Sequence, residues 1–119
     1  TGRWTSLVLD AGGNPVISYY DLTNGDLRLA VCNDPTCTSP TLTTVDSAGI
    51  TGAFTSFALD AGGNPVISYY DLTNDDLRLA VCNDPTCTSP TLTTLDSAGD
   101  TGQYTKLALD AGGSPVIRY

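Results

Sequence analysis

Residues 51–100 repeat residues 1–50, departing from them only at unit positions 3, 4, 7, 8, 25, 45 and 50, so 43 of 50 positions match. Residues 101–119 repeat 51–69 at 13 of 19 positions. Self-similarity at this period means one supersecondary unit stacked on copies of itself, each burying a face of the next. The chain therefore divides into a unit at 1–50, a second at 51–100 and the first half of a third at 101–119. Trp4 becomes Phe54 and Tyr104, Leu7 becomes Phe57 and Leu107, and Val45 becomes Leu95. Such exchanges of one apolar or aromatic group for another are expected at packed positions. Arg3, Ala53 and Gln103 share no property, as at a site facing water.

Each full unit reads as four strands. In the first unit these are Trp4–Leu9, Pro15–Tyr20, Leu27–Cys32 and Thr41–Asp46, and the last is the most polar. Asp10-Ala11-Gly12-Gly13-Asn14 ends the first strand, with two glycines to supply the positive φ of a tight hairpin. Pro15 sits at a strand entry, where the missing N–H is tolerated. Asn24-Gly25 predicts a type I′ hairpin turn, with Asn74-Asp75 a weaker version of it. No segment carries helical periodicity. Leu7 and Leu9 on one side of the first strand, and Trp4 and Val8 on the other, require neighbours on both faces. Short antiparallel strands that grow more polar from first to last, at about fifty residues per unit, fit propeller blades. The first strand would then line the channel and the fourth the rim.

Composition supports an all-β chain. All 13 acidic residues are Asp, and there is no His or Met. Asp suits turns and strand ends, because its short side chain reaches nearby backbone N–H groups. The net charge of −8 would repel phosphate backbones and anionic membrane surfaces, so nucleic-acid binding is not expected. No apolar run approaches the roughly 20 residues of a spanning helix, so membrane insertion is not expected.

The four cysteines fall as Cys32-x4-Cys37 and Cys82-x4-Cys87, one pair in each full unit. Local disulfides are the expectation, and with them an extracellular, cell-surface or periplasmic setting. Free thiols are the alternative. A shared zinc site would need equivalent positions of neighbouring units to converge, at a spacing unlike the usual two-residue knuckle.

The segments "FTSFALDAGGNPVISYYDLTNDDLRLAVC" and "YTKLALDAGGSPVIRY" resemble blade repeats of bacterial secreted or surface β-propellers. There an aromatic-Thr-Ser-apolar first strand leads through Asp-x-x-Gly-x-Pro to an Ile-Ser-Tyr-Tyr-Asp second strand. The resemblance spans the whole chain and implies four-stranded antiparallel blades, about two and a half per chain. It implies no one activity, since such folds host enzymes, lectins and scaffolds alike. The Asp10-Ala11-Gly12 turn resembles a degenerate Asp box, but the Ser and Trp of that motif are absent, so sialidase chemistry is not carried over. A ring needs more blades than this. Further repeats of a longer array, or self-association into a homo-oligomer, would supply them. Two chains hold the twenty strands of five blades, but their strand types match only if blades are swapped or mixed.

Without His there is no Ser-His-Asp or Cys-His arrangement. Paired carboxylates could serve glycoside chemistry, but Asp10, Asp21, Asp26, Asp34 and Asp46 all lie at turns or strand ends and recur in the second unit. Turn-capping is the reading for them, and no enzyme activity or cofactor is expected. Asp21, Asn24 and Asp26 offer three oxygen ligands for Ca²⁺, short of a full coordination shell. Trp4, Tyr19, Tyr20, Phe54, Tyr69, Tyr70 and Tyr104 are candidate ligand-facing aromatics, with packing between units as the other reading. Two functions follow as expectations. One is a structural or interaction module with a repeated face for protein ligands. The other is a multivalent lectin with sites between units.

Overall fold

The structure, a computed structural model, describes residues 2–119. The chain is all-β. In the first unit β1 (Arg3–Leu9), β2 (Pro15–Asp21), β3 (Asp26–Val31) and β4 (Thr41–Asp46) form an antiparallel sheet in the order β1-β2-β3-β4. The second unit repeats it with β5 (Thr51–Leu59), β6 (Pro65–Asp71), β7 (Asp76–Val81) and β8 (Thr91–Asp96). A separate hairpin of β9 (Lys106–Leu109) and β10 (Pro115–Arg118) follows. In the first unit the strands lie within one residue of those expected from sequence. The described residues form two four-stranded sheets and a hairpin, and these do not close into a ring.

The three units stack in chain order. β5 packs against β1, β2 and β3, and β9 packs against β5 and β6. The first and second sheets share one core, in which Val16, Leu27, Leu29 and Val45 meet Phe57, Ile67, Tyr69 and Ala80. Every residue of β6 is buried, because neighbours cover both of its faces.

Because the units are nearly identical, the chain is its own control for what neighbours do. On one face of the second sheet Ile67, Tyr69 and Ala80 are fully buried under the first sheet. Their counterparts Ile17, Tyr19 and Ala30 are only half-buried, because none of the described residues forms a sheet over that face of the first sheet. Leu7 is 57% exposed whereas its counterpart Phe57 is 5% exposed. On the opposite face Val45 is 5% exposed under the second sheet, while Leu95, with only a hairpin above it, is 44% exposed. The expectation that positions 45 and 95 are both packed therefore holds for the first alone. Exposure here is set by the neighbour, not by the residue.

Two turns differ in detail from their expected form. Asp21 and Asp26 pair directly, so the loop between β2 and β3 has four residues, Leu22 to Gly25. Within it Gly25 has positive φ (75°) and Asn24 does not. The type I′ turn is displaced because Asp21 captures the loop. Its carboxylate accepts from the Thr23 N–H at 3.1 Å and from the Asn24 side-chain amide at 2.8 Å. The Gly25 N–H then closes onto the Asp21 carbonyl at 2.7 Å. In the first hairpin only Gly13 takes positive φ (80°). Asp10 holds the Gly12 and Asn14 N–H groups, both at 2.9 Å.

Candidate functional site: the seam between units

The junction between the first two sheets carries the chain's most buried polar chemistry. Tyr69, on β6, is fully buried, and its hydroxyl donates to Asp46 Oδ2 at 2.6 Å. Arg78, on β7, donates to the same oxygen from Nη1 at 3.0 Å and lies 3.9 Å from Asp71. Asp46 is 2% exposed, and its other oxygen caps the Ala48 N–H at 3.0 Å. A buried carboxylate is costly unless its lone pairs are met, and here three donors from two units meet them. Burial, then the Asp46 hydrogen bond, pushes the Tyr69 hydroxyl well above its ordinary pKa.

The arrangement recurs one unit on. Tyr119 donates to Asp96 Oδ2 at 2.6 Å, which raises the Tyr119 pKa and holds the Asp96 carboxyl below the ordinary range. In the first unit Tyr19 and Arg28 stand at the positions of Tyr69 and Arg78, on the uncovered face. Arg28 lies 3.9 Å from Asp21, and its Nε is buried without a partner.

Smaller contacts reinforce the seam. The Ser18 and Thr55 hydroxyls share a buried hydrogen bond of 2.7 Å, and Ser68 and Thr105 are paired in the same way. The Thr55 hydroxyl also donates to the Trp4 carbonyl at 3.1 Å. Gly52 is required by close approach: a Cβ there would stand 2.6 Å from the Leu27 Cα, and Gly102 meets Leu77 at the same distance. Two of the seven differences between the copies meet in space. A Cβ on Gly25 would touch Ile50 at 3.4 Å, whereas Asp75 and Asp100 at those positions both approach the Tyr70 hydroxyl to 2.7 Å.

Of the seven sequence-nominated aromatics, Tyr19 is half-buried on the uncovered face of the first sheet, and the other six separate into two sets. Tyr20, Tyr69 and Tyr70 are buried. Trp4, Phe54 and Tyr104 form a ladder along one edge of the stack, with ring centroids 4.6 and 4.4 Å apart. All three take positive φ, from 51° to 55°. That backbone costs an L-residue roughly 1–2 kcal/mol; Trp4 and Phe54 sit at the irregularities in the register of β1 and β5, and Tyr104 in the turn before β9. The guanidinium of Arg3 lies 5.3 Å from the Trp4 ring centre. Tyr104 is 71% exposed and Trp4 36% exposed, so the ladder borders a shallow groove of about 170 Å³ with Thr5, Thr55, Thr105 and Lys106. A second cleft of about 210 Å³, between Val16, Val31 and Pro85, contains Asp10, which is already bound to its own turn.

Both cysteine pairs are disulfides, Cys32–Cys37 and Cys82–Cys87, and they fit an oxidising compartment. Each closes a loop organised by an aspartate. Asp34 accepts from the Thr38 hydroxyl and from the Thr36 and Thr38 N–H groups, and these bonds, the Thr38 hydroxyl first, lower its pKa. Asp84 is held in the same way by Thr88 and Thr86. Of the Ca²⁺ candidates, the Asn24 amide nitrogen binds Asp21, and Asp26 pairs across the ladder. Among the described residues no three acidic, His or Cys side chains gather as metal ligands.

The seam defines an all-β repeat protein in which Tyr69 and Arg78 of the second sheet meet Asp46 of the first, and the tyrosine–aspartate part of the contact recurs at Tyr119 and Asp96. No protein-family model and no curated protein matches the chain.

Proposed function

We propose that this chain is a non-catalytic structural and interaction module, an array of propeller-type blades that dock face to back. The observation that carries the reading is the Tyr69–Asp46–Arg78 contact together with its partial recurrence at Tyr119–Asp96. A contact repeated at the unit period propagates an array, and near-identical units would offer the same outward face several times over. The fifty-residue period, the four-strand meander and the polar outer strand β4 support the blade assignment. The disulfides favour an extracellular or cell-surface setting.

The test is a series of chains lengthened by whole fifty-residue units, each weighed by native mass spectrometry over a range of concentrations. Blades of a ring require one unit number to give a concentration-independent monomer, with shorter chains associating. An association state indifferent to unit number would overturn the reading.

A lectin is the second reading, favoured by the exposed Trp4 and Tyr104 at the ends of the ladder, since sugars stack on aromatic faces and bond to flanking hydroxyls. Calorimetric titration with a saccharide panel separates the two. Saturable binding lost in Trp4→Ala and Tyr104→Ala supports the lectin, and no saturable binding removes it.

A further inference from the structure

One difference between the copies changes the chemistry of an exposed loop. The loop between β2 and β3 carries Asn24-Gly25, whereas the loop between β6 and β7 carries Asn74-Asp75. An asparagine followed by glycine can modify itself. The glycine nitrogen gives up its proton to water and attacks the asparagine side-chain carbonyl carbon. The amide group leaves as ammonia, and a five-membered imide forms. Water then opens the imide at either carbonyl, leaving aspartate or isoaspartate. Glycine favours the step because it has no side chain to obstruct the ring.

In the fold Asp21 opposes each requirement of that reaction. Asn24 is exposed, so water reaches it. Its amide nitrogen is held by Asp21 Oδ2 at 2.8 Å, which ties down the side chain that must close on the main chain. The Gly25 N–H donates to the Asp21 carbonyl at 2.7 Å, which keeps the proton on the attacking nitrogen. The negative charge of Asp21 nearby disfavours the amide anion further. Asp21 is itself fixed: it is 1% exposed, accepts from the Thr23 N–H at 3.1 Å and lies 3.9 Å from Arg28. In the second loop Asp71 holds the Asn74 amide at the same 2.8 Å, but Asp75 stands where the glycine would be.

We propose that Asn24 is a self-modifying site, held closed by Asp21 in the folded chain and opened when the β2–β3 loop opens. Both products make that opening one-way. The aspartate product replaces the amide donor with a second carboxylate against Asp21. The isoaspartate product adds one carbon to the main chain ahead of Gly25. The Gly25 carbonyl accepts from the Thr51 N–H at 2.9 Å, and a Cβ on Gly25 would stand 3.4 Å from Ile50. Modification therefore loosens the link into β5, at the first junction rather than the second.

Peptide mapping by mass spectrometry, after incubation of the whole chain at mildly alkaline pH, reads amide-to-acid conversion at Asn24 and Asn74. Folded wild type is expected to convert Asn24 at least about tenfold more slowly than the same chain in concentrated urea, since two hydrogen bonds must break before attack. Asp21→Asn keeps the size of the side chain but leaves one acceptor oxygen and no charge. Where circular dichroism shows it folded, it should convert Asn24 at least about fivefold faster than wild type. Asp75→Gly leaves both aspartates in place and puts asparagine-glycine in the second loop. Its Asn74 should convert as slowly as Asn24 in the folded chain and as fast in urea. Folded wild type that converts Asn24 at the urea rate overturns the proposal. So does Asn74 of folded Asp75→Gly converting at the urea rate, or folded Asp21→Asn converting no faster than wild type.

Discussion

The Tyr69 hydroxyl reaches 2.6 Å across the seam to Asp46, joining a strand of the second sheet to the last residue of the first. Neither group has water to fall back on, since Tyr69 is fully buried and Asp46 is 2% exposed. Unit stacking thus rests on a specific polar contact as well as on apolar area, and the contact sets which face meets which.

That burial gives the protein an alkaline limit. Folding keeps Tyr69 protonated above its ordinary pKa, while the unfolded chain ionises it near pH 10. The stabilisation is complete below about pH 10 and is lost as pH rises further, by up to about 1.4 kcal/mol per pH unit for one such group. Tyr70, raised by burial and then by its bonds to Asp75 and Asp100, acts in the same direction. Urea unfolding between neutral pH and pH 11.5 should show the decline, and Tyr69→Phe should make it shallower.

Gly52 should resist substitution more strongly than any turn glycine. At Gly52→Ala a positive φ of 103° and a 2.6 Å approach to the Leu27 backbone act together. At Gly13→Ala the φ is 80° but the space is open. Expected losses are about 1 kcal/mol at Gly13, from strain alone, and more than about 3 kcal/mol at Gly52. Denaturant midpoints check the order.

Asp75 occupies the positive-φ position that Gly25 fills in the first unit, at 61°. The single hydroxyl proton of Tyr70 serves one carboxylate at a time, so Asp75 and Asp100 compete for it. Asp75→Gly relieves the backbone and leaves Asp100 as acceptor. A gain of about 1 kcal/mol is expected, read as a raised melting temperature.

The strands and the disulfides were legible because their signals are local. Alternating apolar residues bounded by Asp, Gly and Pro place each strand, and two cysteines five apart in a turn can reach one another. The turn at Asn24-Gly25 was misread because a dipeptide does not reveal that Asp21 three residues earlier binds the asparagine amide. The Tyr69–Asp46 contact was invisible for a different reason. Its partners are 23 residues apart in different units, and each has a sufficient local explanation, the tyrosine as packing and the aspartate as a turn cap. Pairing the two recurring positions, Asp46 with Tyr69 and Asp96 with Tyr119, is the signal that could have found it. The contrast between Val45 and Leu95 lies beyond any local reading, because the strands overhead decide it.

Removing either disulfide opens a very short loop, so the chain-entropy contribution is about 2 kcal/mol. Cys87 is fully buried under the first sheet, whereas Cys37 is half-buried. The Cys82→Ala, Cys87→Ala variant should therefore lose more stability than its Cys32, Cys37 counterpart. Melting temperatures of the two variants give the comparison.

Face-to-back docking through the tyrosine–aspartate contact is tested most directly by a double-mutant cycle on Tyr69→Phe and Asp46→Asn, read as unfolding free energy. A coupling of about 1–3 kcal/mol is expected for a buried, charge-assisted bond across the seam. Additive losses, with coupling below about 0.3 kcal/mol, would contradict it.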